Sequence, residues 1–130
     1  MKVRPFETLD HPEIARWWNH HKFPVLPLAD LPSNGSVVEG KDGTLICSAW
    51  FYSTDTSVAW MEYLVKNPDI TMDVTSQALD MVIENLTERA RNQGFKILFT
   101  CTDKKSLMNR LERLSFIKGD ELVTHYVRRL

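Results

Sequence analysis

The side chains in this sequence that could do chemistry are few. They are His11, His20, His21 and His125, the thiols of Cys47 and Cys101, the carboxylate of Glu62, and the hydroxyls of Tyr63, Tyr126 and Ser106. Adjacent histidines on a helix point in different directions, so His20-His21 is not the i, i+4 pair that a helical zinc site uses, and no metal is expected. His21 has two readings. It lines a substrate pocket with Trp18, Phe23 and Leu26, or it packs at a helix end, where a histidine interacts favourably with the dipole. Cys47 and Cys101 each lie in an apolar, strand-like run, where free cysteines behave as small core hydrophobes, and no disulfide is expected. Glu62 reads by itself as a strand carboxylate facing solvent or paired with a basic neighbour. The tyrosines read as fillers of half-buried strand surfaces. Of the four tryptophans, Trp17, Trp18, Trp50 and Trp60, at least two belong in a core.

The elements that must position these groups are set by size and pattern. A chain of 130 residues with 43% hydrophobic and 25% charged side chains has the balance of one globular domain, spanning 1–130. Sixteen basic and 17 acidic residues, net charge -1, are spread along the chain, which argues against an electrostatic nucleic-acid binder. The densest basic group, Arg89, Arg91, Lys96, Lys104, Lys105, Arg110 and Arg113, lies beside Glu88 and Glu112 and reads as a solvated face. The start, Met1-Lys2-Val3-Arg4-Pro5, lacks the apolar run of a signal peptide, and no stretch approaches the roughly 18 apolar residues of a membrane span. A soluble, cytoplasmic protein with no membrane partner is the expectation.

Along the chain, Lys2 to Phe6 reads as a strand, and Asp10-His11-Pro12-Glu13 as the capped start of a helix reaching about Lys22. Pro24, Pro27 and Pro32 make Phe23 to Gly35 a loop with one helical turn. Strands are expected at Ser36 to Glu39, Thr44 to Tyr52 and Ser57 to Val65, forming an antiparallel meander. Ala78, Leu79, Val82, Ile83, Leu86 and Ala90 form the apolar stripe of the strongest helix, which stops at Gly94. Lys96 to Thr102 then reads as a strand reached by a crossover and so parallel to its neighbour. Asp103 caps a further helix with Leu107, Met108, Leu111 and Leu114 on its buried face. Phe116 and Ile117, a Gly119-Asp120 turn and Leu122 to Arg129 complete a last hairpin.

This order, an α/β (α+β) mixed-sheet arrangement, resembles the GNAT N-acetyltransferase superfamily over nearly the whole chain. Val3-Arg4-Pro5-Phe6 with Asp10-His11-Pro12-Glu13-Ile14-Ala15 looks like the family's opening. Leu64-Val65-Lys66-Asn67-Pro68 is similar to its strand end before the CoA loop, and Leu111-Glu112-Arg113-Leu114-Ser115-Phe116 to its "YEKLGF" helix end. The resemblance implies a GNAT-like acyl-CoA N-acyltransferase fold with acetyl-CoA as cosubstrate. Backbone groups of Leu64, Val65, Lys66 and Asn67 would hold the pantetheine arm, and the helix start at Thr71, Val74, Thr75 and Ser76 the pyrophosphate, through unpaired N–H groups and the helix dipole. The family's loop reads Arg or Gln, two residues, Gly, one residue, Gly or Ala; here it is Thr71-Met72-Asp73-Val74-Thr75-Ser76, without glycine. Thr71, Thr75 and Ser76 either contribute to an anion site or cap the helix.

The resemblance also implies roles for single residues. Glu62 lies on the strand that often carries a general-base carboxylate, about three residues nearer its end than usual. The position of the family's acid tyrosine is Leu111 here, which leaves Tyr126, Tyr63 or Ser106 as substitutes. His21, Phe23 and Leu26 would border the acceptor. Two functions follow: an N-acetyltransferase acting on a small-molecule or protein amine, or a non-catalytic module on the same fold that binds a protein partner or forms a homodimer.

Overall fold

The structure, a computed structural model, describes residues 1–130. The chain opens with β1 (Lys2–Pro5), a 3-10 turn (Thr8–Asp10) and α1 (His11–His20). Asp10 organises this start. Its buried carboxylate accepts a two-pronged pair of hydrogen bonds from Arg4, at 2.8 and 2.9 Å, and a third from the Glu7 N–H at 2.8 Å. Arg4 also donates to Glu39 at 3.1 Å, so one guanidinium ties the entry of α1 to the sheet. α1 stops at His20, short of the expected Lys22, because Lys22 turns into the left-handed region (φ 61) and the Phe23 N–H closes back on the Trp18 carbonyl.

After the proline-rich loop, which contains a single 3-10 turn (Leu28–Asp30), come β2 (Asn34–Glu39), β3 (Leu45–Tyr52) and β4 (Val58–Lys66). They form the expected antiparallel meander, and β1 adds antiparallel to β2. α2 (Met72–Asn92) crosses over to β5 (Ile97–Phe99), which runs parallel to β4, and α3 (Lys105–Arg113) follows. The sheet order is β1-β2-β3-β4-β5.

Strand alternation gives the sheet two apolar faces. On one, Val38, Cys47, Ala49, Phe51, Ala59 and Met61 receive the α2 stripe of Ala78, Val82, Ile83, Leu86 and Ala90. On the other, Val37, Trp50 and Val65 receive Ile14, Trp17 and Trp18 of α1. Three of the four tryptophans are therefore core residues, each worth roughly 3–5 kcal/mol against truncation to alanine. α2 ends at Gly94 (φ 93), where the Phe95 N–H reaches the Ala90 carbonyl at 3.1 Å. α3 is held to α2 by Arg110, which donates to the Ser76 carbonyl at 2.8 Å, to the Ser76 hydroxyl at 3.1 Å, and to the Asp80 carboxylate.

The C-terminal third departs from the sequence reading. β5 has three residues instead of the seven from Lys96 to Thr102, because the chain leaves β4 after Phe99; Cys101 is consequently exposed, while Cys47 is in the core as expected. Lys104, not Asp103, occupies the N-cap of α3, and its N–H is taken by the Thr102 hydroxyl. Of the α3 face only Leu111 is buried. The last hairpin does not form: residues 117–130 carry no regular structure and all are exposed. A two-stranded hairpin without a sheet to join is marginal in water, so a strand-like pattern alone does not make one.

Burial by itself would raise the Asp10 carboxyl, but Arg4 and the Glu7 N–H more than offset that and hold it below the usual carboxylate range. A depressed folded-state value stabilises above the unfolded value near 3.9 and is lost as pH falls through the lower one. Asp10→Asn should therefore cost about 1.5–3 kcal/mol at pH 7. It should also flatten the acid limb of the stability curve, as measured by urea unfolding between neutral pH and pH 3; an unchanged limb would show that another carboxylate controls it.

Candidate active site

The candidate site is built on the second half of β4. Val58, Ala59 and Trp60 pair with Ile97, Leu98 and Phe99, and a last link runs from the Thr100 hydroxyl to the Met61 carbonyl at 3.0 Å. Beyond it, residues 62–66 keep β3 on one side and have no strand on the other, so the sheet opens into a fork. At the same point β4 bulges. Ser48 faces Val65 and Trp50 faces Glu62, so Tyr63 and Leu64 together oppose Ala49. Tyr63 takes φ 62, an unfavourable conformation for an aromatic residue. It is secured by its hydroxyl, 2.5 Å from that of Tyr52, and by edge contact with the Trp50 ring, centroids 6.5 Å apart.

Electrostatics at the fork are acidic. Glu62 accepts a hydrogen bond from the Trp60 indole at 2.6 Å and lies 4.0 Å from the Cys101 thiol. Burial, and then Glu62, push that thiol upward, which disfavours a thiolate. The Tyr52 phenol is pushed well above its ordinary value, first by burial, then by Tyr63 and the Glu62 and Asp30 carboxylates. Asp30 comes from the turn in the proline-rich loop, so that loop contributes charge to the site.

At the far end of β4 the predicted residues divide into those with free groups and those already engaged. The Leu64 side chain packs toward α2 and that of Val65 is buried toward α1. The Lys66 carbonyl is 3.0 Å from His21 Nε2, and His21 stacks on Phe23 with centroids 5.7 Å apart. Asn67 is engaged through both main chain and side chain: its N–H goes to the Ile46 carbonyl, its amide nitrogen donates to the Leu45 carbonyl, and its amide oxygen accepts from the Asp69 N–H. It shapes the strand end, and its main-chain N–H is not free for a ligand. The Lys66 ammonium lies 3.3 Å from Met72 Sδ, at the first turn of α2.

Thr71 is the N-cap of α2, but its side chain makes no capping bond, so the first-turn N–H groups are uncapped. Thr71 and Val74 are exposed. The Thr75 hydroxyl turns to the Ile70 carbonyl at 3.5 Å and the Ser76 hydroxyl receives Arg110, so both serve the helix from within. A depression of about 340 Å³ beside Ile46, Ile70, Thr71 and Val74 opens on the β3 side of this turn, rimmed by Asp42 and Asp69, and not at the fork.

The structure thus gathers Glu62, Leu64 to Asn67, the α2 start, His21 and Phe23 along one end of β4. Leu26 packs with Tyr63 against the cluster of Trp18, Trp50 and Val65, and its carbonyl is 2.7 Å from His11 Nε2. Tyr126 makes no side-chain hydrogen bond and is 91% exposed, since the hairpin expected around it does not form. His125 reaches the fork instead, 3.6 Å from Cys101 Sγ. Tyr52, Trp60 and Cys101 meet at the bulge and the short β5, and Asp30 comes in from the proline-rich loop; no spacing in the sequence marks any of them as a site residue.

No family model matches the sequence, and no curated protein matches it. Solved structures do. A Trypanosoma brucei acetyltransferase matches with a TM-score of 0.71 at 18% identity, over 97% of this chain and 99% of its own. Arabidopsis thaliana glucosamine-6-phosphate N-acetyltransferase matches with a TM-score of 0.69 at 11% identity, over 98% of both chains. Rv2747 from Mycobacterium tuberculosis, solved in complex with CoA, matches with a TM-score of 0.71 at 16% identity, over 86% of this chain and 70% of its own. This chain has the GNAT acetyltransferase fold. What it shares at these identities is the path of the backbone.

The hydroxyl pair within this GNAT fold can be tested directly. Tyr63→Phe removes one of the influences that raise Tyr52, so Tyr52 should ionise at lower pH than in the parent, while burial still holds it above the ordinary tyrosine value. Ultraviolet titration of the phenolates reads this; an unmoved Tyr52 would mean that the pair is not coupled in solution.

Proposed function

We propose that this chain is an acetyl-CoA-dependent N-acetyltransferase acting on a primary amine by direct attack in a ternary complex. The observation that carries the reading is the fork. Where β4 bulges and parts from β5, its outer edge has no strand partner, and it leads straight to the uncapped first turn of α2. Pantetheine would lie along the backbone of Leu64 to Lys66. The pyrophosphate would meet the first-turn N–H groups beside Thr71 and Val74, with the Lys66 ammonium supplying positive charge where the family's loop has Arg or Gln.

Glu62 is the base in this reading. It takes a proton from the ammonium of the acceptor, the free amine attacks the thioester carbonyl, the C–N bond forms and the C–S bond breaks, and the departing CoA thiolate takes up the proton that the attacking nitrogen sheds on becoming an amide. Glu62 and Asp30 around the Tyr52–Tyr63 pair make the acceptor side acidic, which suits an amine arriving as a cation. His21 and Phe23 border the same strand end.

Asp73 and the Val74 side chain occupy the α2 start, and the Ser76 hydroxyl is bound by Arg110; these features favour the second reading, a non-catalytic module. Thermal unfolding with acetyl-CoA separates the two. At about 100 times the dissociation constant a native-state ligand stabilises by roughly 2.7 kcal/mol, so a clear upward shift is expected. No shift at millimolar acetyl-CoA would leave the non-catalytic module. Once an acceptor amine is found, Glu62→Gln should lower turnover by about 100-fold or more while the acetyl-CoA shift persists; an unchanged rate would remove Glu62 as the base.

A further inference from the structure

The Lys66 ammonium has no carboxylate partner, and its one polar contact is Met72 Sδ at 3.3 Å. Arg16, which also reaches this turn, is already held by Glu13 and Asp69. Both ends of the Lys66–Met72 contact are fixed by the backbone. The Lys66 carbonyl is held by His21, the loop after it by Asn67 and by the Arg16–Asp69 pair, and Met72 is the first residue of α2. The two side chains meet because the fold places them together.

Met72 contributes nothing to the core. It is 59% exposed and belongs to neither apolar cluster, whereas Met61 is buried and Met81 and Met108 are partly covered. The start of a helix favours side chains that accept hydrogen bonds or carry negative charge, so an exposed thioether does nothing for the helix there. A thioether sulfur is a weak acceptor and leaves the ammonium available to an anion. Its sulfoxide is a different group, polar and with a strongly accepting oxygen, and solvent exposure opens Met72 to that oxidation.

We propose that Met72 is an oxidative modification site, at which a hydroperoxide converts the thioether to a sulfoxide that captures Lys66 and weakens donor binding at the start of α2. The peroxide O–O bond breaks, one oxygen forms the S=O bond, the sulfur gives up two electrons, and the rest of the peroxide leaves as water or an alcohol. Reversal takes two thiols, which remove the oxygen as water and close to a disulfide. The sulfoxide oxygen takes over the ammonium assigned to the pyrophosphate, so modification and donor compete for one cation. The proposal rests on the acetyl-CoA reading of this turn.

The test uses full-length protein with Cys101→Ser, which removes the exposed thiol that peroxide also attacks. After mild hydrogen peroxide, peptide mass spectrometry should find one added oxygen at Met72 ahead of Met61, Met81 and Met108. Thermal unfolding should then need about ten-fold more acetyl-CoA for the same upward shift, the size of one hydrogen bond to a charged group. Methionine sulfoxide reductase with a thiol reductant should restore the shift, which general damage would not allow. Met72→Gln, with an amide oxygen in place of the sulfoxide, should show the weaker binding without peroxide. Met72→Leu should bind acetyl-CoA equally before and after treatment; it retains Met1, the other exposed methionine, and so reports oxidation elsewhere. An oxidised Met72 with undiminished binding, or a Met72→Leu protein that loses affinity as the parent does, would overturn the proposal and leave the acetyl-CoA reading standing. Untreated protein with no shift at all would overturn that reading, and the switch with it.

Discussion

The bulge in β4 is the constraint on which the rest of this molecule depends. Up to Met61 the strand alternates regularly, with Ala59 and Met61 toward α2 and Trp60 and Glu62 toward the other face. Two residues against Ala49 then shift the phase, so that Leu64 packs toward α2 and Val65 toward α1. Without that shift Val65 would leave the core around Trp17, Trp18 and Trp50. The left-handed Tyr63 is the conformational cost, of order 1–3 kcal/mol, and the aromatic and hydroxyl contacts of Trp50 and Tyr52 compensate it. The bulge begins just past the last β4–β5 pair, Trp60 with Phe99, so the change of packing phase and the opening of the fork fall at one place.

Around that strand the remaining contacts hold the fork open. His21 and Asn67 secure the end of β4 from α1 and from β3, and Arg4 with Asp10 fixes where α1 begins. α2 is anchored along its length: Asn85 and Arg89 bond Ser36, and Arg110 bonds Ser76 and Asp80. Arg89 has no carboxylate partner, and burial lowers its affinity for its proton; its charge is met by the Gly35 carbonyl and the Ser36 hydroxyl, each at 2.6 Å. Thus one residue of the apparent basic cluster braces the interior, and another clamps α3, whereas Arg91, paired with Glu88, belongs to the solvated face expected. The first turn of α2 is left without a side-chain cap, and a helix start in that condition favours negative charge.

What the sequence by itself determined was everything governed by local period and punctuation. The α2 stripe, the proline-broken loop, the antiparallel meander and the parallel crossover all follow from spacing and from residues such as Pro24, Gly94 and the hairpin turn at Gly40 to Gly43. Their order was also enough to suggest the GNAT fold. What only tertiary structure decided depends on partners distant in the chain. Nothing in Glu62-Tyr63-Leu64 announces a bulge, because it arises from accommodating Trp50 and Val65 against α1. Nothing at Lys96 to Thr102 announces that pairing stops at Phe99, because a strand's length is set by the neighbour it leaves. For the same reason Cys101 fell outside the core, Tyr52 and Asp30 entered the site unannounced, and Leu122 to Arg129, a strand by composition, has no strand to join within its own chain. Propensity describes what a segment can form, and pairing energy, supplied from elsewhere in the fold, decides whether it does.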